Sequence, residues 1–476
     1  MNKTNIFINK IDELKENGLD ISIRKLSFNN IEIYILYIQQ LTDRDKLSTD
    51  IIKPILLNKD CNNISVDKLA SSVVYIDNIL IDDSENKIIE YILEGKSIIV
   101  LSNDNKYIVA DTLKIEKRKT MPPQVESTLR GAKDSFNENL DNNLSLIRYR
   151  IKDPNLRIDK FIIGKRSKTN VAVVYIKDIV NPKIINDVKK RLSSIAIDGV
   201  FESGYIQKFI LNNAFDLFPQ CGIVERSDTA CTNIIDGKIC IMVEGISLVL
   251  TVPKTFIEFL DASDDHYDSI YISVFSKTLR ILSILISITL SSLYVAVVAF
   301  HPDILPPKYI LAMATGRATV PFNALLEALI MEFVAEVLRE ASIRLPQQIG
   351  PAISIVGAIV IGQAAAAAGL VSSLMVIIVS LSIMTSFAAG DYFMINPIRV
   401  LKYIMILLSG VFGILGFTIG FILITINLCS IESFGVSYVA PLSPFNFRDI
   451  INFFISDITL SKKRPKFLHT RDKTRQ

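Results

Sequence analysis

Along this chain the apolar residues follow two different rules. Up to about residue 280 they fall in short runs separated by charged and turn-forming residues, the pattern of half-buried strands and helices. Beyond it, long stretches carry no charge. In the first half, Ile31–Ile38, Tyr107–Ala110, Val171–Ile176 and Leu248–Thr251 read as strands. Leu93-Glu94-Gly95-Lys96-Ser97-Ile98-Ile99-Val100 is similar to Ile235-Asp236-Gly237-Lys238-Ile239-Cys240-Ile241-Met242: in each, a helical pattern stops at a glycine and an apolar strand follows. The numbering offset is 142 between the two glycines and 138 between Tyr37 and Tyr175 in the preceding strands. Two α/β subdomains of related design are predicted, residues 1–130 and 131–275. Chance likeness of a common helix–glycine–strand motif is the alternative. Met121-Pro122-Pro123 interrupts regular structure between them, and a helix is expected over Asp134–Arg150.

In the second half, four runs are predicted to cross a membrane: Leu279–Phe300, Gly350–Leu370, Val371–Ala389 and Met405–Ile431. The first covers roughly 33 Å as a helix, against a hydrocarbon core of about 30 Å, and Arg280 near its start is its one charge. The last is long enough to tilt or extend past the core. Pro321–Arg344 differs. Pro321 suits a first helical turn, Glu327 follows, and Glu332, Glu336 and Glu340 form an acidic stripe at i, i+4 and i+8. Arg339 and Arg344 stand at pairing distance from Glu336 and Glu340, while Leu325, Leu329, Phe333 and Val337 occupy another face. This reads as an interfacial or re-entrant helix, or as one packed inside a bundle. Lys277 and Arg280 at the start of the first span, and a tail with Lys462, Lys463, Arg464, Lys466, Arg471, Lys473 and Arg475 against Asp472, place both flanks on the cytoplasmic side. Four crossings satisfy that; a fifth would not. The expected layout is a helical membrane domain over 276–445 and a basic cytoplasmic tail over 446–476.

Composition narrows the chemistry. Of 476 residues, 50% are apolar and 21% charged, and a net charge of +3 gives no electrostatic footprint for nucleic acid. The five cysteines, at 61, 221, 231, 240 and 429, form no Cys-x-x-Cys pair, which argues against a zinc site or a disulfide framework. No apolar stretch of signal-peptide length opens the chain, so the whole region ahead of the first span is expected to stay cytoplasmic. There is no Walker loop, dinucleotide glycine fingerprint, histidine pair or nucleophile elbow, and His266, His301 and His469 lie far apart. No enzyme activity, catalytic residue, cofactor or metal is expected.

The membrane half offers the candidates. In Gly350–Leu370, Gly357, Ile361, Gly362 and Gln363, followed by alanines 364–368, suit either a pore-lining helix around a symmetric axis or close packing within one chain. Gly416 and Gly420 are a second small-residue pair. The acidic residues Glu327, Glu332 and Glu336 would either concentrate cations at a pore mouth or form the wet face of an interfacial helix.

Several motifs resemble those of one family. They are Glu126-Ser127-Thr128-Leu129-Arg130-Gly131 with Phe136, Asn143, Arg148 and Arg150, and Leu217-Phe218-Pro219-Gln220 with Glu225-Arg226-Ser227-Asp228. In the second half Arg317, Val320-Pro321-Phe322, Glu327, Glu332, Glu336, Leu338-Arg339-Glu340-Ala341, Arg344-Leu345-Pro346, Ile361-Gly362-Gln363-Ala364 and Ser433-Phe434-Gly435-Val436 continue the set. In order and spacing, over about residues 75 to 445, they resemble the A subunits of spore germinant receptors, the GerA family. Ser227 and Ser437 stand where prolines are usual, and Glu244-Gly245-Ile246-Ser247 replaces an Asp-Gly-Ser-Pro run, which marks a divergent branch.

The resemblance implies a receptor in the spore inner membrane that responds to small nutrients. It implies partnership with a transporter-like B subunit and a lipoprotein C subunit, and a homo-oligomer of A subunits forming a ligand-gated monovalent-cation channel. A non-conducting scaffold subunit is the alternative. A secondary transporter, with about ten spans and repeats inside the membrane, fits less well.

Overall fold

The computed structural model describes residues 20–475 apart from 29–30, 59–63, 115–125, 127–130, 132–133, 214, 345–359, 389 and 458. The chain divides into two compact units. The first comprises residues 1–214, 221–253 and 462–476, and the second 215–220 and 254–461.

The first unit holds two five-stranded antiparallel sheets built to one plan. Strands β1 (Ile21–Phe28), β2 (Ile31–Ile38), β3 (Ile79–Asp82), β4 (Ser97–Leu101) and β5 (Tyr107–Ala110) lie in the order β1-β2-β4-β5-β3. Strands β6 (Leu156–Ile163), β7 (Thr169–Ile176), β8 (Gly222–Val224), β9 (Ile239–Val243) and β10 (Val249–Val252) lie in the order β6-β7-β9-β10-β8. The registers correspond residue for residue: moving β2 by 138 and β4 by 142 turns the pair Ile33–Leu101 into Val171–Val243. Moving β4 and β5 by 142 likewise turns Ser97–Ala110 into Ile239–Val252. A pleated strand has period two, so a slip of one residue in either copy would turn its core face outward. The offsets seen between Tyr37 and Tyr175, and between Gly95 and Gly237, are therefore register offsets. Both glycines have positive φ, +83° and +96°, where a side chain would be strained.

Helices cover the sheets, so β4, β5, β9 and β10 are buried throughout. In the first subdomain, α1 (Val66–Ser72) and the helical segment 44–57 cover one face through Leu47, Ile51, Val66 and Leu69. The other face packs on α2 (Lys87–Leu93) through Ile88 and Ile92. In the second, α3 (Leu140–Arg150) and α6 (Ser227–Ile235) share one core with β7 and β9, and α4 (Pro182–Ser193) and α5 (Ser203–Ile210) bury Ile184, Val188, Leu192, Ile206 and Ile210. The helix expected from Asp134 begins at Leu140, because the Asn139 side chain accepts the Asn142 N–H and caps it. The basic tail packs on this subdomain. Arg464 Nε donates to the Ile235 carbonyl at 2.8 Å, Arg475 Nη2 meets Asp236 at 2.6 Å, and the Arg471 N–H meets the Ile179 carbonyl at 2.9 Å. Part of the tail's charge is thus engaged in holding the chain end.

The second unit is helical: α7 (Ile270–Phe300), α8 (Pro307–Arg317), α9 (Ala324–Arg344), a helix over 360–367, α10 (Ser373–Ser386), α11 (Ile395–Ser430) and α12 (Phe447–Ile455). Among the described residues, α7 and α11 are the two runs long and apolar enough to cross a membrane by total length and composition, although α11 is broken within. The sequence reading of Met405–Ile431 as one crossing, tilted or extending past the core, needs correction. Gly413, at φ +63° and ψ −140°, breaks α11 into two legs. A Cβ on Gly416 would sit 1.9 Å from the Leu408 carbonyl oxygen, and one on Gly420 would sit 2.6 Å from Met405 Sδ. On a straight helix those pairs are about 12 and 22 Å apart. Ile424 and Leu428 also share a core with Met394 and Leu401. The run is a hairpin with legs of about 26 Å, and its two glycines let the legs meet. Val371–Ala389 contracts to the 14 residues of α10, about 21 Å, because Ser372 caps it by accepting the Met375 N–H. Helix α9 starts at Ala324 rather than Pro321, since Asn323 Oδ1 accepts the Leu326 N–H.

At the start of α7, Lys277 is fully buried. Its Nζ donates to the Phe453 carbonyl at 2.5 Å and to Ser456 Oγ, and pairs with Asp261 at 2.6 Å. Asp261 also meets His266 at 2.7 Å, and Arg280 pairs with Asp265. Burial opposes charge on Asp261, but His266 and Lys277 outweigh it and hold the carboxyl well below the usual carboxylate range. For His266, burial favours the neutral ring, and the Asp261 charge overcomes this and raises its pKa.

Two outcomes follow. With Cys429 replaced by Ser, Met405→Cys and Gly420→Cys should cross-link with a short bis-maleimide, whereas a straight helix would hold them too far apart. The folded pKa of His266 lies above its unfolded value, so its stabilisation is complete below about pH 6.5 and is lost as pH rises through the folded value. The difference in Tm between the parent and His266→Asn should therefore shrink on going from about pH 6 to pH 9.

Candidate functional site

The helical unit contains a seam of buried charge along α9. Glu327 is wholly buried; its Oε1 accepts the Ser372 N–H and hydroxyl, both at 2.6 Å, and Arg317 lies 3.6 Å from its Oε2. One turn on, Glu332 accepts the Ser291 hydroxyl from α7 at 2.8 Å and pairs with Lys402 of α11 at 3.0 Å. That lysine and glutamate are 5% and 2% exposed, so the pair is effectively out of water. Next, Glu336 meets Arg399 of α11 and, at 3.3 Å, Arg339 of its own helix. Arg339 also reaches the Ser386 hydroxyl of α10 and lies over the Phe387 ring at 5.1 Å. Only Glu340 of the stripe is exposed, pairing with Arg344 at 2.7 Å.

The stripe read from sequence as a pore mouth or wet helix face thus meets cations along most of its length. The reason is energetic. A carboxylate desolvated among helices costs several kcal/mol unless a cation and hydrogen bonds replace the water. Arg399 and Lys402 were missed in the sequence. Their i, i+3 spacing just after Pro397, complementary to the i, i+4 acids, was the available signal.

The pore candidates separate. Gly357 lies outside the described residues. Gly362 is buried, and a Cβ on it would sit 3.2 Å from Val376 of α10. Ala365 and Ala366 pack into the same core. Ile361, Gln363, Ala364, Ala367 and Ala368 are exposed. One face of this helix is packing within the chain, and the exposed side carries Val360 and Ile361 at its start, then alanines and one amide.

In the first unit the motif residues build a clasp. Glu126 Oε2 accepts the Glu225 and Arg226 N–H groups, each at 3.2 Å, and the Phe136 N–H bonds to the Glu225 carbonyl at 2.8 Å. The buried Arg226 guanidinium holds Asp228 through two hydrogen bonds. Arg150 grips Asp134 at 2.8 and 2.7 Å and Ser227 Oγ at 2.9 Å, and Ser227 donates to Asp134. Gly131, at φ +116°, passes so close to Arg226 that a Cβ would sit 2.2 Å from its Nη2. Arg130 lies outside the described residues. Ser227 supplies a hydroxyl that links Asp134 to Arg150. In the second unit, the Pro219 carbonyl accepts the Tyr438 hydroxyl at 2.8 Å and the Gln220 carbonyl accepts Ser433 at 2.9 Å, which joins two distant motifs. Pro321 is exposed ahead of α9. Among the described residues no group of His, Cys, Asp and Glu is arranged to hold a metal ion.

Removing one member of the buried pair, as in Lys402→Met, should destabilise the helical unit by about 3–5 kcal/mol, while Glu332→Leu with Lys402→Met should recover much of that. Thermal unfolding of the three variants in detergent checks it.

Residues 9–467 match the family described as Bacillus/Clostridium GerA spore germination protein. The chain is 34% identical over 462 residues to spore germination protein KA of Bacillus subtilis (strain 168), spanning 96% of this chain and 85% of that protein. It is 33% identical over 459 residues to spore germination protein GerLA of Bacillus cereus, spanning 96% and 93%. It is 34% identical over 443 residues to the uncharacterized membrane protein YfkQ of Bacillus subtilis (strain 168), spanning 93% and 86%. Among solved structures, the N-terminal domain of the A subunit of the Bacillus megaterium spore germinant receptor GerK3 is 27% identical, with a TM-score of 0.41, covering 52% of this chain and 94% of that domain. A family match over almost the whole length, with relatives at about one-third identity, means that the chain belongs to the GerA spore germination protein family.

Proposed function

We propose that this chain is the A subunit of a nutrient germinant receptor in the spore inner membrane, and that several copies associate into a gated channel for monovalent cations. A transporter-like B subunit and a lipoprotein C subunit complete the receptor, and the nutrient is an amino acid, sugar or nucleoside. The observation that carries the channel reading is the exposed face of the helix over 360–367, where Gln363 sits among alanines. In a bilayer an amide on such a face needs a polar partner or water. Neighbouring copies around an axis supply both, and small side chains leave room for ions.

The seam supports a matching topology. Leu325 packs beside Gly410 near the hairpin turn, while Glu336 meets Arg399 near the hairpin's start, so α9 runs the length of the bundle. In this reading α9 crosses the membrane in the direction opposite to α7, and the Gly413 hairpin enters and leaves on the side where α7 begins. Both flanks then face the spore core.

Cation flux from liposomes holding this chain with its B and C partners, before and after nutrient, tests the proposal. Nutrient-dependent flux that requires this chain is expected, and Gln363→Leu should reduce it without loss of assembly. Gly362→Leu should instead lower stability, because that residue faces Val376. Absence of flux from assembled complexes would leave a scaffold subunit.

A second reading concerns the first unit. A polar cleft of about 280 Å³ lies between its subdomains, with Gln39, Gln40, Arg44 and Lys114 on one side and Asn139, Asn142 and Ser145 on the other. One turn beyond Ser145, Arg148 is 2% exposed, and its Nε and Nη2 have no hydrogen-bond partner among the described residues. A small polar nutrient suits such a cleft, and a rise in Tm with one nutrient class is the result expected.

A further inference from the structure

Helix α12 packs Phe453 against the core beside Leu260, Ile284 and Ile398 but leaves other apolar positions outside. In a soluble protein the apolar side of a surface helix faces the core. Here the inward positions include Asp449, 5% exposed and bonded to Asn446, while Phe447 and Ile451, one turn apart, are 66% and 37% exposed. Leu442 and Phe445, just before the helix, are also exposed, as is Arg448. Single exposed hydrophobes need no explanation, but a row of them on one element marks an interaction surface.

The occupant follows from where the helix is fastened. Lys277 of α7 holds its C-terminal end through the Phe453 carbonyl and Ser456, with the Phe453 ring 4.3 Å from the ammonium. Lys277 lies four residues before Ile281, where the uncharged part of α7 begins. A helix tied to that level stands at the boundary between headgroups and acyl chains, given that α7 crosses the bilayer. Exposed phenylalanines beside an arginine are the residues that such a zone accepts: rings enter the acyl boundary and the guanidinium meets lipid phosphate.

We propose that Phe447–Ile455 is an interfacial helix, lying in the plane of the leaflet at the start of α7 with Phe445, Phe447 and Ile451 in lipid and its C-terminal end held by Lys277. The proposal rests on the membrane reading of α7.

The chain contains no tryptophan, so one introduced indole reports alone. Phe447→Trp and, as a second reporter, Ile451→Trp are placed separately in the full chain in phosphatidylcholine–phosphatidylglycerol nanodiscs. Leu285→Trp, at an exposed position within α7, serves as control. The expected result is blue-shifted emission from residues 447 and 451, quenched more strongly by lipids brominated near the headgroup than near the chain end. Residue 285 should show the opposite depth preference. Emission from 447 and 451 that is quenched by aqueous acrylamide and ignores bromolipid overturns the interfacial helix while 285 upholds the membrane reading. Blue-shifted emission that ignores bromolipid assigns the face to a protein contact and also overturns it. If 285 escapes bromolipid as well, both readings fall.

Discussion

A carboxylate carried into a bundle of apolar helices keeps its charge only if a cation comes with it, and that requirement organises the helical unit. Glu332 is out of water, so Lys402 must lie beside it; Glu336 likewise draws Arg399. These pairs register α9 against the first leg of α11, and Ser291 registers both against α7. Such pairs add little net stability compared with an apolar replacement. Their geometric demand is strict, because any other alignment of the helices would strand a charge.

The Gly413 turn works with the same constraint. Arg399 and Lys402 sit on the leg that faces α9, and the uncharged second leg returns over Leu408 and Met405 through two glycines. The chain then reaches Tyr438, whose hydroxyl and carbonyl engage Pro219 and Phe256 beside the rings of Phe218 and Phe259. Two motifs from opposite halves of the chain are thereby one aromatic knot. In the first unit, the linker clasp plays a comparable part. Gly131 and Glu126 bring the segment between the subdomains onto the Glu225–Asp228 turn, and Arg226 is satisfied there without solvent.

Much of the first unit was legible beforehand because strand signals are local. Ile31–Ile38 and Tyr107–Ala110 have the predicted bounds, β7 starts two residues earlier than predicted and ends where predicted, and β10 is shifted by one residue. The repeat was legible too, since equal offsets between glycines, tyrosines and strands carry register information. Strands β1, β3, β6 and β8 were not read. β3 and β8 are short strands at the sheet edges, and the others carry charges that mask their alternation. The tail's arginines read as a solvated flank because their acceptors, Ile235 and Asp236, belong to the second subdomain and precede every helix of the second unit.

By itself, then, the sequence determined composition-driven properties: which runs avoid water, which strands repeat, and which family motifs are present. Tertiary structure alone decided how those runs are used. The charge-free stretch Met405–Ile431 is equally consistent with one tilted span or two short legs, and the difference lay in a single backbone conformation at Gly413. An acidic stripe is equally consistent with water or with cations, and the difference lay in Arg399 and Lys402, which arrive only after two further helices. Hydrophobicity depends on each residue and its near neighbours. Pairing depends on which distant residue arrives, and only the fold supplies that.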